Sequence, residues 1–156
     1  MFGFGKKTLV ISSPADGALM DITQVDDPVF SEKMMGDGFA VDPAEDADTI
    51  CAPCDAKIRL VPDTMHAVAL EKDGVEMLLH IGIDTVSLHG KGFTALVKAG
   101  DKVEQGQPLI KFDRDLLAEA GKNCLTMLVV TNQNDSIKEI EKNLSDMHET
   151  MVLTLK

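Results

Sequence analysis

Positive charge is scarce in this sequence: 15 lysines and arginines stand against 26 aspartates and glutamates, a formal net charge of −11. That balance argues against nucleic acid or an anionic membrane surface and makes a basic protein the better-matched partner. Long apolar runs are missing too. None approaches the roughly 20 residues that span a bilayer, and no apolar stretch with a cleavage site follows Met1. The chain is therefore expected to be cytoplasmic and not membrane-spanning. Its first seven residues carry two aromatics and two lysines but are short and broken by Gly3 and Gly5. They are expected to form a flexible tail over 1–7, not a firm membrane anchor. Cysteine is sparse as well, and three is an odd number, so a disulfide framework is excluded. Cys51-Ala52-Pro53-Cys54 has redox or zinc spacing, but the residues after it read as a turn entering a strand. A redox pair needs a helix there to lower a thiol pKa, and a zinc site needs a second ligand pair, which has no match in spacing. Two reduced thiols beside a turn are the expectation.

What the sequence has in quantity is short apolar stretches cut by Gly, Asp and Pro. They read as strands near 8–12, 18–22, 57–61, 67–71, 75–81, 93–97, 108–112, 126–131 and 151–155. Ala15-Asp16-Gly17, Gly36-Asp37-Gly38, Lys72-Asp73-Gly74 and Ala99-Gly100-Asp101 read as turns between them. Helical periodicity is weak, with a turn or two expected at 115–120, ended by Gly121, and at 135–143. With no strand–helix alternation, the expected fold is all-β: one domain over 1–156, an antiparallel sandwich or partly closed barrel with one or two short helices.

A faint repeat fits that architecture. Pro14-Ala15-Asp16-Gly17-Ala18-Leu19 echoes Pro53-Cys54-Asp55-Ala56-Lys57-Ile58, giving two similar corners suited to a pseudo-symmetric sandwich. The stretch from Gly100 to Leu109 looks like the tight hairpin of biotinyl- and lipoyl-carrier domains. It lacks their acceptor-lysine motif, so it stands for strand geometry and not for a modification site.

Chemistry concentrates between Thr64 and Asp84. His66 and His80 flank Lys72-Asp73-Gly74, which suggests a three-residue hairpin loop placing the two histidines opposite each other, with Cβ atoms about 4.5–5.5 Å apart. A two-residue loop would shift the register by one and send them to opposite faces. Two adjacent imidazoles suit three roles. They could be packed polar residues, a zinc half-site with Asp63 or Asp84, or a phosphoryl-transfer pair. In the last, the Gly82 carbonyl would hold one N–H of an attacking ring, and the second ring, oriented by Thr64, would stabilise phosphoryl oxygens. His89 and His148 have no such setting.

Thr64-Met65-His66-Ala67 followed by Leu79-His80-Ile81-Gly82-Ile83-Asp84-Thr85-Val86 resembles the glucose-type enzyme IIA family of the bacterial phosphoenolpyruvate-dependent sugar phosphotransferase system. The likeness covers nearly the whole chain and extends to the stretch from Pro28 to Gly38, the corner at Pro53, Gly90-Lys91-Gly92-Phe93, and the run from Gly100 to Leu109. It implies an antiparallel sandwich in which His80 accepts phosphate on Nε2 from phospho-HPr and gives it to the cysteine of an enzyme IIB domain. It further implies that His66 stabilises the phosphoryl group, that Thr64 orients His66, and that the Gly82 carbonyl fixes the His80 tautomer. Asp27 and Asp84 match acidic positions that meet basic residues of HPr, and Val29, Phe30 and Ile83 match an apolar collar around the histidines. No resident cofactor or metal is expected, although the histidine pair can take zinc with help from a partner carboxylate. Leu78, Leu79 and Ile81 stand where relatives frequently carry Phe, which makes the collar aliphatic. Two rivals use the same histidine pair: a purely regulatory binding protein and a zinc-binding module. The transported sugar is outside what such a carrier encodes, because it never touches the sugar.

Overall fold

The structure, a computed structural model, describes residues 7–156. Its strands in chain order are β1 (Thr8–Ile11), β2 (Gly17–Asp21), β3 (Asp37–Pro43), β4 (Thr49–Cys51), β5 (Ala56–Leu60), β6 (Ala67–Lys72) and β7 (Val75–Ile81), then β8 (Phe93–Ala95), β9 (Lys102–Val103), β10 (Pro108–Phe112), β11 (Thr126–Val130), β12 (Ile137–Lys142) and β13 (Met151–Leu155). Three short helices interrupt them: α1 (Pro28–Ser31), α2 (Arg114–Glu119) and α3 (Gln133–Ser136). A seven-stranded sheet runs β2-β3-β11-β7-β6-β5-β9, and two three-stranded sheets run β1-β13-β12 and β4-β10-β8. The pairings are antiparallel throughout, as expected for an antiparallel sandwich.

Alternation along β7 explains the layering. Val75, Met77, Leu79 and Ile81 are buried in the main core, while Glu76, Leu78 and His80 lie on the other face. Central β11 is buried on both faces. Its Leu128 and Val130 join the main core, whereas Met127 and Val129 form a smaller core with Ile22, Val25, Phe30 and Ala40. The segment between β2 and β3, containing α1, thus covers part of the sheet face that carries His80.

The repeated corners are reciprocal. The Cys51 N–H donates to the Pro14 carbonyl at 2.8 Å, and the Ser12 N–H donates to the Pro53 carbonyl at 2.9 Å. Each corner hands the chain into a strand of the large sheet, β2 and β5. All three cysteines are free thiols, and burial, helped by the nearby Asp55 carboxylate, pushes the Cys54 thiol up to about 12.

Four expectations are corrected. The turn joining β6 and β7 has two residues, Asp73 and Gly74, both at positive φ (52° and 82°), the signature of a type I′ turn. Gly36-Asp37-Gly38 is not a turn but the entrance to β3. The run from Gly100 to Leu109 does not pair with itself, because β9 pairs with β5 while β10 pairs with β4 and β8. Residues 137–142 form strand β12 and not a helix: a register shift between Ile137 and Glu139 gives this strand an apolar spacing of three, so Ile137 and Ile140 both reach the core. Of the tail expected over 1–7, only Lys7 lies within the described residues; its carbonyl accepts the Leu155 N–H at 2.9 Å.

Candidate functional site

In the two-residue register His80 pairs with Ala67 and Met127, not with His66. The histidines meet nonetheless. Met65 takes a positive φ of 52° and His66 lies at a bend before β6, so the regular pleat ends just there. The chain stays anchored, with the Ile81 N–H donating to the His66 carbonyl at 2.7 Å. The two rings pack edge to face, centroids 4.8 Å apart and planes at 84°. Strand geometry fixes His80, and an irregular turn delivers His66.

Each ring is held at Nδ1. His80 Nδ1 lies 2.9 Å from the Gly82 carbonyl. A carbonyl only accepts, so the proton sits on Nδ1 and the Nε2 lone pair is free. His66 Nδ1 lies 2.7 Å from Thr64 Oγ1; a hydroxyl donating there leaves the His66 proton on Nε2. Gly82 is fixed from several sides. Its N–H donates to the Leu125 carbonyl at 2.7 Å, and its φ is 76°. A Cβ at this position would sit 2.4 Å from the Asn123 carbonyl oxygen and 2.5 Å from Thr85 Cγ2. Only glycine fits, so the carbonyl that sets the His80 tautomer is a consequence of backbone crowding. Sequence reasoning missed Asn123 and Leu125, which act from 40 or more residues away and carry no motif.

Burial and the neighbouring His66 hold His80 down at about 4, against the opposing pull of the Gly82 carbonyl and Asp27. Burial also lowers His66. Both rings are therefore neutral near pH 7, one offering a lone pair and the other an N–H. Phe30 is buried, 4% exposed, and meets His80 edge-on with centroids 5.2 Å apart. Val29 beside it is 39% exposed. Asp27 accepts the Val29 N–H at 2.9 Å and caps α1. Asp84, at positive φ, is ion-paired with Lys122 at 2.9 Å. Ile83 is partly buried against the smaller core. Among the described residues no group of three His, Cys, Asp or Glu is placed to hold a metal. The two imidazoles alone supply half of a tetrahedral zinc set. A concavity of about 660 Å³ lies between Asp46, Phe93 and Arg114 and includes neither histidine.

Residues 9–136 match the model of a family described as "phosphoenolpyruvate-dependent sugar phosphotransferase system, EIIA 1". The chain is 46% identical over 132 residues to the PTS system glucose-specific EIICBA component of Staphylococcus carnosus, a match covering 84% of this chain and 19% of that much longer protein. It is 41% identical to the PTS system glucose-specific EIIA component of Halalkalibacterium halodurans, over 100% of this chain and 96% of the relative. Glucose permease IIA from Mycoplasma capricolum superposes with a TM-score of 0.79 at 31% identity, covering 99% of this chain and 98% of the other.

Proposed function

The chain belongs to the EIIA 1 family of the phosphoenolpyruvate-dependent sugar phosphotransferase system, and from that premise we propose that His80 Nε2 takes a phosphoryl group from phospho-HPr and passes it to an enzyme IIB cysteine. As a family member the chain is a phosphotransferase component, a phosphoryl carrier. In the first step the Nε2 lone pair forms a bond to phosphorus as the phosphorus–nitrogen bond to the HPr histidine breaks. In the second a cysteine thiolate forms the new bond and the bond to His80 breaks. The Nδ1–H held by the Gly82 carbonyl is the observation that carries this reading, because it leaves Nε2 unprotonated. His66 Nε2–H donates to the phosphoryl oxygens, with Thr64 holding its far nitrogen. Positioning and charge stabilisation are most of what such a transfer requires.

The relatives' names support glucose as the sugar. A carrier that passes phosphate between proteins has no need to bind the sugar itself. Among the described residues no helix is long and apolar enough to cross a membrane, and we place the chain in the cytoplasm with HPr. Were a partner to present a carboxylate, the two rings would suit zinc once the His66 proton moved from Nε2 to Nδ1, where Thr64 Oγ1 would accept it. A chelator that left phosphate uptake unchanged would set that reading aside. The direct test is incubation with phosphoenolpyruvate, enzyme I and HPr. An acid-labile, base-stable adduct is expected on the wild type and absent from His80→Gln; labelling that persists in the variant overturns the assignment.

A further inference from the structure

The segment joining β2 to β3 carries Ile22, Val25 and Phe30 into the smaller core and sets Phe30 against His80. Its two flanking residues are the last of β2, Asp21, and the first of β3, Asp37. One ammonium binds both. Lys142 Nζ lies 2.6 Å from Asp21 Oδ1 and 2.6 Å from Asp37 Oδ1. Asp21 pairs with Phe39 across β2 and β3, so Asp21 and Asp37 are diagonal neighbours on one face of the sheet. Phe39 belongs to the main core, so Lys142, on β12 of a different sheet, reaches the ends of the segment from the side opposite Phe30.

Each carboxylate also grips the segment directly. Asp21 Oδ2 accepts the Thr23 N–H at 3.1 Å and the Thr23 hydroxyl at 2.6 Å, starting the turn that buries Ile22. Asp37 Oδ2 pairs with Lys33 at 3.6 Å, just beyond α1. We propose that Lys142 is a positioning residue for phosphoryl acceptance, holding the cap through Asp21 and Asp37 so that Phe30 stays against His80. The proposal rests on the function given above.

The ion group is largely sheltered, with side-chain exposures of 17% for Lys142, 28% for Asp21 and 16% for Asp37. Burial would raise the Asp21 carboxyl, but Lys142 and Thr23 pull it down to about 2, so it stays ionised. Removing the ammonium leaves two carboxylates facing each other in a partly dry site, where like charges repel strongly. Their separation loosens both ends of the cap at once. A lysine that merely stitched β12 to the large sheet would need one of these carboxylates; this one takes the two that bracket the cap.

Lys142→Met keeps the aliphatic stem and removes the charge, and Lys142→Arg restores the charge. Two measurements decide: nuclear Overhauser contacts between the Phe30 and His80 rings, and single-turnover phosphate uptake over a range of phospho-HPr concentrations. In Lys142→Met the ring contacts are expected to fade and the maximal rate to fall about 10-fold, because small misplacements near a reacting atom cost up to about 10²-fold. The half-saturating HPr concentration is expected to stay within about twofold, and Lys142→Arg to recover both readouts. Wild-type ring contacts and maximal rate in Lys142→Met, even with a lowered melting temperature, would make Lys142 a structural stitch only. If Lys142→Met does not fold, Asp21→Asn must weaken the same ring contacts to a smaller degree; contacts unchanged there overturn the proposal. The ring contacts need no phosphate, so they test the clamp even if wild-type His80 proves unable to accept a phosphoryl group.

Discussion

At His80 the chemistry turns on which nitrogen holds the proton. Burial first, and then His66, disfavour the imidazolium and bring the group to about 4. An unfolded histidine titrates near 6.5, so between about 6.5 and about 4 the unfolded chain binds the extra proton. The contribution of His80 is complete above the upper value and is lost as pH falls toward the lower one. We expect 15N shifts of His80 to report a neutral ring protonated on Nδ1 from pH 8 to about 5, with charging only near 4. Titration near 6.5 would mean that the ring is wet and the tautomer argument void. The part proposed for His66 is different, donation from Nε2. His66→Gln is therefore expected to accept phosphate from HPr yet deliver it to enzyme IIB about 10²–10³ times more slowly. Normal rates in both half-reactions would reduce His66 to packing.

At the scale of elements, two glycines with positive φ separate conformational strain from collision. Gly74 (φ 82°) closes the type I′ turn into open space, whereas Gly82 (φ 76°) faces the Asn123 carbonyl. Gly74→Ala is expected to cost about 1–2 kcal/mol from left-handed strain alone. Gly82→Ala should cost more than about 3 kcal/mol, because backbone must also move. Urea titrations compare them directly, and equal losses would refute the crowding that holds the Gly82 carbonyl toward His80. Much of this layer was legible in the sequence. Strands at 75–81, 108–112 and 151–155 match the structure residue for residue, because short apolar stretches bounded by turn residues leave little freedom. The pair of corners was legible as well, although only the structure shows them bonding to each other. Two features were hidden for definable reasons. In β12 the bulge disguised a strand as a helix, and at His66 a positive-φ residue undid the arithmetic of the hairpin. The expectation that His66 and His80 meet survived an incorrect register, because the break in the pleat compensated for the shift. That cancellation depends on Met65 and could not be read from spacing.

For the molecule as a whole, a net charge of −11 sets a field that favours a basic partner wherever it docks, so a local claim needs local charges. Asp27, whose charge acts on His80, and Asp84, four residues after it in the chain, are not equivalent. Asp27 caps α1, and Asn is as good a cap, so Asp27→Asn changes charge with little effect on the fold. Asp84 is already partnered: Lys122 Nζ lies 2.9 Å from its Oδ2, although the Asp84 side chain is 67% exposed. An exposed pair of this kind adds at most about 1 kcal/mol to stability, but it dims the field that an approaching basic surface meets. Asp27→Asn with Asp84→Asn is therefore expected to slow phosphate uptake from HPr several-fold at low salt, by lowering the association rate. Lys122→Gln, which uncovers Asp84, is expected to do the reverse and raise it. Both effects should vanish toward 1 M salt, where the screening length falls to about 3 Å. Stopped-flow transfer rates across a salt series read all three proteins in one experiment. A double variant that matches wild type at low salt moves the acidic rim elsewhere. Opposite shifts in the two variants, converging at high salt, would place HPr over the end of β7 that leads from His80 toward Asp84, with Asp27 at its side.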